Sequence, residues 1–353
     1  MLSKKTRRVA VLMALVSVAA IAPQTAEAGR AKPDVKFMSR NLYLGADIIK
    51  MATARNEAEE RALAKQLHDT VRATNFETRA QAIAGEVANR KPDVIGLQEV
   101  ARYFRSPDGQ QDEVKNATTP LYDWLSILQT ELKARDLNYR VVSDRTWIDV
   151  EVSSDEGYDL RFQQANVVLV RRNSRVRFLR ERSGVFPTQL TVPLHDQMVT
   201  QQRGWAGMEG SVAGKRFRFF TPHAEAYSND ISTKQFQEMM ANSQLRPRRI
   251  PMVIAGDFNS DPRSDDDAEK GGYNAVVGAG FRNTAPRARN TCCQAELLDN
   301  DTSELKTWID HIMVRPRARV LGWGLVGNEV ADRIGDLWPS DHAGVFARLR
   351  FKR

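Results

Sequence analysis

Short runs of apolar, β-branched and aromatic residues recur along almost the whole chain, and this recurrence is what most constrains the fold. Such runs predict buried or half-buried strands. Helical composition separates some of them, at 54–90, 119–135 and 228–245, whereas others follow one another closely enough to form hairpins. This mixture favours a layered α/β (α+β) fold with substantial antiparallel pairing. The predicted strands are 35–38, 93–97, 139–151, 164–171, 175–181, 198–213, 215–221, 251–255, 307–314, 318–324 and 344–351.

The first 28 residues have the pattern of an export signal. Basic residues at 4–8 precede an apolar run at 9–22, and Ala26-Glu27-Ala28 then offers a small-x-small cleavage site. The apolar run is shorter than the ~20 residues that a membrane span needs, which leaves a retained anchor as the alternative. The sequence therefore predicts a signal peptide at 1–28, a single domain at 29–353, and a secreted or periplasmic protein.

Charge and cysteine content narrow the function only a little. The formal net charge is +8, of which the leader carries +3, so the remainder is +5. This balance favours phosphate-bearing partners without identifying one.

Cys292 and Cys293 are adjacent and cannot close a long loop; a vicinal disulfide and a pair of buried thiols are the two interpretations. No stable protein partner is predicted, and we expect a monomer.

Polar residues lie at the ends of several predicted strands. Ligands of layered α/β proteins bind where strands end and loops begin, so these side chains are predicted to converge on one binding cleft. Each residue alone would pass for a turn or a cap, and the set is what carries the prediction. Its members are Asn41, Glu99, His223, Asp257, Asn259, Asp310, Asp341 and His342.

The chemistry of this set matches phosphate ester hydrolysis. Glu99, Asn41 and Asp341 offer hard oxygen ligands, which suit Mg²⁺, with Mn²⁺ as the alternative. A bound cation neutralises charge that develops on a phosphate in the transition state.

Hydrolysis also needs groups that move protons. Asp257 suits a base that orients or deprotonates water, and His342 and His223 suit groups that stabilise or protonate the phosphoryl oxygens. A carboxylate beside a histidine fixes its tautomer, which is a natural role for Asp310.

The ordered motifs resemble the endonuclease/exonuclease/phosphatase superfamily of metal-dependent phosphoesterases. The resemblance spans residues 37 to 350, and it implies a four-layer sandwich of two packed mixed β-sheets flanked by helices. The matching pieces are Ser39-Arg40-Asn41-Leu42, Gly96-Leu97-Gln98-Glu99-Val100, Asn166-Val167-Val168-Leu169-Val170, Arg203-Gly204, Pro222-His223, Gly256-Asp257-Phe258-Asn259, Ile309-Asp310-His311-Ile312 and Ser340-Asp341-His342.

The resemblance also implies roles for these positions. Glu99, Asn41 and Asp341 correspond to metal-site residues, with Glu99 as the principal ligand. The catalytic residues would be Asp257, which acts on water, Asn259, which orients phosphate, and His342, which Asp310 orients. His223 would be a second histidine in contact with phosphate, although Pro222 precedes it where the family more often has Asn-Thr-His, and no carboxylate partner for it is identifiable. Arg203 and Asn166 are candidate substrate-binding residues.

The motifs do not identify which phosphate ester is the substrate. A nuclease-like phosphodiesterase is favoured, because Arg102, Arg105 and Arg161 are expected in polar loops that could track a phosphate backbone. A sphingomyelinase-like phospholipase C would need an exposed apolar loop, and an inositol or sugar phosphate phosphatase would need a basic pocket. A non-catalytic binding protein on the same scaffold is the alternative from another class.

Three further features receive structural interpretations. His311 is expected to fill the position after Asp310, with a substrate contact as the alternative. His68 and His195 lack a surrounding motif and are expected to be surface or structural residues. Asp265-Asp266-Asp267 is expected to be a solvated turn, with a calcium loop as the alternative.

Overall fold

The computed structural model describes residues 33–107, 115–194, 197–246, 249–315 and 317–352. The predicted leader at 1–28 and His195 lie outside these ranges. No helix in them is long and apolar enough to cross a membrane. The helices are α1 (Glu57–Ala73), α2 (Phe76–Arg90), α3 (Trp124–Lys133), α4 (Asn229–Ala241) and α5 (Gly271–Gly278), with short 3₁₀ helices at Ile48–Thr53 and Val330–Asp332. The strands are β1 (Asp34–Asn41), β2 (Val94–Arg105), β3 (Thr119–Asp123), β4 (Tyr139–Ser153), β5 (Asp159–Arg171), β6 (Arg177–Glu181), β7 (Gly184–Val185), β8 (Leu190–Leu194), β9 (Gln197–Gln201), β10 (Gly204–Val212), β11 (Lys215–His223), β12 (Met252–Asp257), β13 (Arg282–Asn283), β14 (Asp310–Arg315), β15 (Ala318–Val326) and β16 (Gly344–Phe351).

Most of the strands form two mixed sheets. The first has the order β15-β16-β1-β2-β5-β4, with β3 added to β2, and the second has the order β13-β14-β12-β11-β10-β6, with β7 added to β10. β1 runs parallel to β2 and β11 runs parallel to β12, so polar residues at the carboxyl ends of those strands meet at one edge of each sheet. β8 and β9 form a separate two-stranded hairpin.

Alternation along the strands explains how the layers stack, because successive side chains of a strand point to opposite faces. Phe37 packs between the sheets, where its ring stacks on Phe219 at 5.5 Å, while the next residue, Met38, packs with α1, α2 and α3. In the second sheet Val253 faces the inter-sheet core, and Ile254 faces α4 and α5. The predicted four-layer sandwich is confirmed.

Several local predictions are wrong. The stretch 119–135 was predicted to be helical, but it begins with strand β3, and α3 occupies only 124–133. The helical composition of 54–90 is confirmed as two helices, because Asn75 adopts a left-handed conformation (φ 36°) and caps α2 by accepting a hydrogen bond from the backbone N–H of Thr78. The predicted strand 198–213 is divided between β9 and β10. Arg102, Arg105 and Arg161 were expected in polar loops, but Arg102 and Arg105 lie in β2 and Arg161 lies in β5.

Candidate active site

Backbone register places the predicted site residues side by side at one end of the two sheets. Asn41 lies opposite Gln98 in the parallel β1–β2 pair. Asp257 lies between His223 on β11 and Asp310 on β14. Gly256, which precedes Asp257, permits a close approach of β11, since a Cβ atom there would lie 2.3 Å from the carbonyl oxygen of Pro222.

Glu99 enters the site from an irregularity in β2. The register with β5 shifts between Leu97 and Val100, and Glu99 itself has φ 54°, a left-handed conformation that is uncommon for glutamate. Such strain is of order 1–3 kcal/mol and concentrates at functional sites. The backbone N–H of Leu44 donates to Oε2 of Glu99 over 2.8 Å, which holds the carboxylate in place.

The amide of Asn41 connects two carboxylates. Its Nδ2 donates to Oε1 of Glu99 over 3.0 Å and to Oδ2 of Asp257 over 3.1 Å, and its Oδ1 accepts from the backbone N–H of Tyr43 over 2.9 Å. Glu99 and Asp257 are therefore neighbours, as the sequence predicted. The amide nitrogen of Asn41, not its oxygen, faces them; its role as a metal ligand stays a prediction.

Asp257 lies at the centre of the site. Its Oδ2 is 3.6 Å from Nε2 of His223 and 3.7 Å from Nε2 of His342, and its Oδ1 accepts from the backbone N–H of Asn259 over 2.9 Å. Asn259 adopts φ 45°, and its Nδ2 donates to the carbonyl oxygen of Ala224. Burial raises the pKa of Asp257 to about 7, although the charge of His342 acts in the opposite direction.

His342 and Asp310 form a hydrogen-bonded pair, as predicted. Nδ1 of His342 is 2.8 Å from Oδ2 of Asp310, and both side chains are buried. Burial by itself would lower the pKa of His342, but the carboxylates of Asp310, Asp341 and Asp257 raise it well above its ordinary value. These carboxylates therefore favour the charged imidazole, whose Nε2 lies 3.7 Å from Oδ2 of Asp257.

His223 has a different environment. Its Nδ1 lies 3.1 Å from Nε2 of Gln164 and 3.0 Å from Nη1 of Arg203, and the same Nη1 lies 3.2 Å from its Nε2. Burial, and then the charge of Arg203, lower its pKa well below the ordinary value. Burial and Arg203 thus favour the neutral imidazole, whose Nε2 lies 3.8 Å from Oε1 of Glu99. The sequence carried no signal for Gln164, because it lies in the middle of a strand without a motif.

The two candidate substrate-binding residues separate in the structure. Arg203 lines the cleft, and its Nε lies 3.7 Å from Oε2 of the buried Glu225. Asn166 is fully buried between the sheets, where its Nδ2 donates to the carbonyl oxygens of Gly204 and Thr221, and it does not line the cleft.

The residues with structural interpretations also have clear positions. His311 is buried between the rings of Phe258, Tyr273 and Trp308, and its Nε2 faces the carbonyl oxygen of Ser260. His68 is buried, with Nδ1 3.0 Å from Oε2 of Glu156. The turn at 265–267 is exposed to solvent.

The segment at 291–294 forms one wall of the site, which the sequence did not predict. Cys292 pairs across to Thr307 and to His342, and the hydroxyl of Thr291 accepts from the backbone N–H of Asp310. The two cysteines form a disulfide, and both line the cleft. This segment therefore ties the backbone that carries Asp310 to the backbone that carries His342.

The cleft between these walls has a volume of about 350 Å³. Its described lining residues have a strongly acidic balance: besides the imidazoles of His223 and His342 they contribute one guanidinium, Arg203, and the carboxylates of Asp47, Glu99, Asp257, Glu269 and Asp341.

Comparison with known protein families identifies the family of this chain. The model of the Endonuclease/Exonuclease/phosphatase family matches residues 67–342, which is most of the chain. The chain belongs to the endonuclease/exonuclease/phosphatase family. Hydrolysis of phosphate esters is the activity of this family, and its members generally depend on a divalent metal. A comparison with curated protein sequences found no match.

Solved structures of the endonuclease/exonuclease/phosphatase fold extend over most of this chain. A family protein from Bacteroides thetaiotaomicron is 18% identical, with 92% of this chain and 100% of that chain covered and a TM-score of 0.57. A mannosyl-6-phosphatase from the same organism is 18% identical over 90% and 100% of the two chains, with a TM-score of 0.55. A humanized TDP2 from D. rerio is 18% identical over 90% and 99%, with a TM-score of 0.51. At these identities the likeness concerns the fold.

The residues of this family member fit a hard divalent cation. Burial raises the pKa of Glu99 and of Asp341, and the negative charge of Asp341 adds to the effect on Glu99. Partly buried carboxylates that repel one another are stabilised by a cation, and carboxylate oxygens are the ligands that Mg²⁺ and Mn²⁺ prefer. The group Cys292, Cys293 and His342 is a poorer candidate, because the disulfide removes the thiolates that a soft metal requires.

Proposed function

We propose that this protein hydrolyses phosphodiester bonds at this cleft in a reaction that depends on a divalent metal. The observation that carries the proposal is the convergence of the His342–Asp310 pair, Asp257 and Glu99 on one acidic cleft. Glu99 and Asp341 would hold the cation, with Asn41 beside them, and the cation would neutralise charge on the phosphate. The nuclease-like substrate favoured by the sequence stays a prediction.

In the proposed reaction the protein's own residues divide the work. Asp257 orients the attacking water and accepts its proton, for which a carboxylate with a pKa of about 7 is well matched to neutral pH. The charged imidazole of His342, held by Asp310, stabilises the phosphoryl oxygens and can return a proton to the leaving group. His223 and Arg203 provide further N–H donors for the phosphate.

The test uses bis(p-nitrophenyl) phosphate with Mg²⁺, Mn²⁺ or EDTA. Asp257→Asn and His342→Ala are expected to lower kcat by about 10²–10⁴-fold with little change in KM, because the two groups act mainly in the transition state. His311→Asn is the control, since His311 is buried behind the site in contact with other rings. Hydrolysis that persists in EDTA, or wild-type kcat in either catalytic variant, would contradict the proposal.

We also propose that the protein is exported and that its leader is removed after Ala28. The support is the basic, apolar and small-x-small order of residues 1–28. N-terminal sequencing of the protein from culture medium or periplasm is expected to begin at Gly29 or close to it. An intact Met1 on protein in the membrane fraction would favour the retained anchor instead.

A further inference from the structure

A second cavity lies beside the active-site cleft, and its walls are almost entirely apolar. It has a volume of about 110 Å³ and lies between the 3₁₀ helix at 48–53, α1, the β4–β5 pair and the β8–β9 hairpin. Apart from His68 and Gln201, its described lining side chains are aliphatic or aromatic. They include Met51, Leu67, Val71, Val150, Val192 and Val199.

This cavity adjoins the cleft. Ala46, Ile48, Ile148 and Gln201 line both spaces, so these residues form the boundary between the phosphate site and the apolar walls. Gln201 is 7% exposed, and its Oε1 accepts no hydrogen bond from the described residues.

We propose that the apolar cavity binds a linear alkyl chain of the substrate, and that the substrate is a phosphodiester of an aliphatic alcohol. This inference rests on the proposed phosphodiesterase activity and specifies the alcohol. Alkyl chains need no hydrogen bonds, whereas the polar edges of a nucleotide base or a sugar would be left unpaired against these walls. An occupant would also make the contacts that an empty apolar cavity lacks.

The charges of the cleft support an alkyl phosphodiester over a nucleic acid. Proteins that bind a phosphate backbone contact it with several lysines and arginines. Arg203 is the one guanidinium or ammonium among the described residues that line the cleft. Arg102 and Arg161, which the sequence predicted to contact a phosphate backbone, are instead paired with Asp144 and Asp149 of β4.

The experiment measures kcat/KM for p-nitrophenyl alkyl phosphodiesters from methyl to decyl, each below its critical micelle concentration. Water attacks phosphorus, the aryl P–O bond breaks, and p-nitrophenolate leaves in every case, so only the alkyl group differs. A buried methylene is worth about 0.8 kcal/mol, which predicts an increase of about fourfold per carbon until the cavity is full. A flat series would overturn the alkyl site while leaving the proposed function intact, whereas no hydrolysis of any ester would refute the proposed function.

Matched variants in one hairpin connect the chain-length effect to the cavity. Val192 and Val199 are paired across β8–β9 and both line the cavity, whereas Thr191 and Thr200 are the adjacent, exposed pair. Val192→Gln and Val199→Gln are expected to reduce the octyl-to-methyl ratio of kcat/KM by about tenfold or more. Because the ratio is taken within one enzyme, a general loss of folded protein does not change it. Thr191→Gln and Thr200→Gln are expected to keep the wild-type ratio, and equal effects of all four variants would overturn the proposal.

Two further assays identify the kind of substrate that carries the alkyl chain. Hydrolysis of soluble octyl esters but not of a phosphodiester lipid in phosphatidylcholine vesicles would support a free amphiphile, and hydrolysis of both would support a membrane lipid. A kcat/KM for a single-stranded oligonucleotide above that for the octyl ester would overturn the proposal in favour of a nuclease.

Discussion

The contact between His342 and Asp310 allows a quantitative test of the catalytic assignment. Nδ1 and Oδ2 are 2.8 Å apart in a buried environment, so the centres of charge lie about 4 Å apart. With an effective dielectric constant of about 20, their attraction is ~4 kcal/mol, or about 10³-fold in rate. Asp310→Asn keeps the shape of the side chain and removes this charge.

The expected loss of kcat in Asp310→Asn is smaller than this 10³-fold limit, because other carboxylates remain near the imidazole of His342. Oδ2 of Asp257 and Oδ1 of Asp341 lie 3.7 Å and 4.0 Å from Nε2 of His342. We therefore expect Asp310→Asn to lower kcat by about 10²-fold and His342→Ala by about 10³-fold or more. The double variant is expected to differ from His342→Ala by less than about threefold, since groups that act as a unit are non-additive.

The assay is kcat for bis(p-nitrophenyl) phosphate at saturating Mg²⁺ for the wild type, the two single variants and the double variant. Unfolding curves of all four proteins check that the losses do not come from misfolding. If the two losses multiplied to about 10⁵-fold, the residues would act independently, and the role of Asp310 as the residue that orients His342 would be refuted.

Three other perturbations have defined outcomes. Glu99→Gln is expected to raise the Mg²⁺ concentration for half-maximal activity by at least about tenfold, as measured by metal titration; an unchanged titration would remove Glu99 from the metal site. Burial lowers the pKa of His311 to about 4, below its unfolded value of about 6.5, so its contribution to stability is present above pH 6.5 and decreases as the pH falls towards 4. In urea unfolding, this group should lower the free energy of unfolding by about 2 kcal/mol between pH 7 and pH 5. The His311→Asn variant should lack this pH-dependent decrease, although the variant is less stable than the wild type at pH 7. Burial acts to raise the pKa of Glu209, but hydrogen bonds from Arg182 and Arg216 hold it at about 2. The stabilising effect of Glu209 is present above pH 4.5 and is lost as the pH falls towards 2. Glu209→Gln should lower the free energy of unfolding at pH 7 by about 2–3 kcal/mol. It should not change the relative kcat values of the Asp310 and His342 variants.

Much of the site could be predicted from the sequence because its residues are attached to strong local signals. Asp257 follows a short apolar strand and Glu99 lies in another, and the structure brings both to the same amide of Asn41. The order of the motifs along the chain was also sufficient to predict that His342 and Asp310 form a pair. Alternation of apolar residues likewise indicated the layered fold, because a strand pattern determines locally which face each side chain takes.

The sequence by itself therefore determined the layers, the strand ends and most of the polar groups at the cleft. Only the tertiary structure decided which groups surround them. The amide of Gln164 at His223 and the segment of Cys292 behind His342 depend on partners distant in the chain. The apolar cavity has the same origin, because four separate elements must meet before Val192 and Leu67 face one space. Local patterns specify the face and type of an element, whereas a cavity or a hydrogen-bond partner exists only after distant elements have packed together.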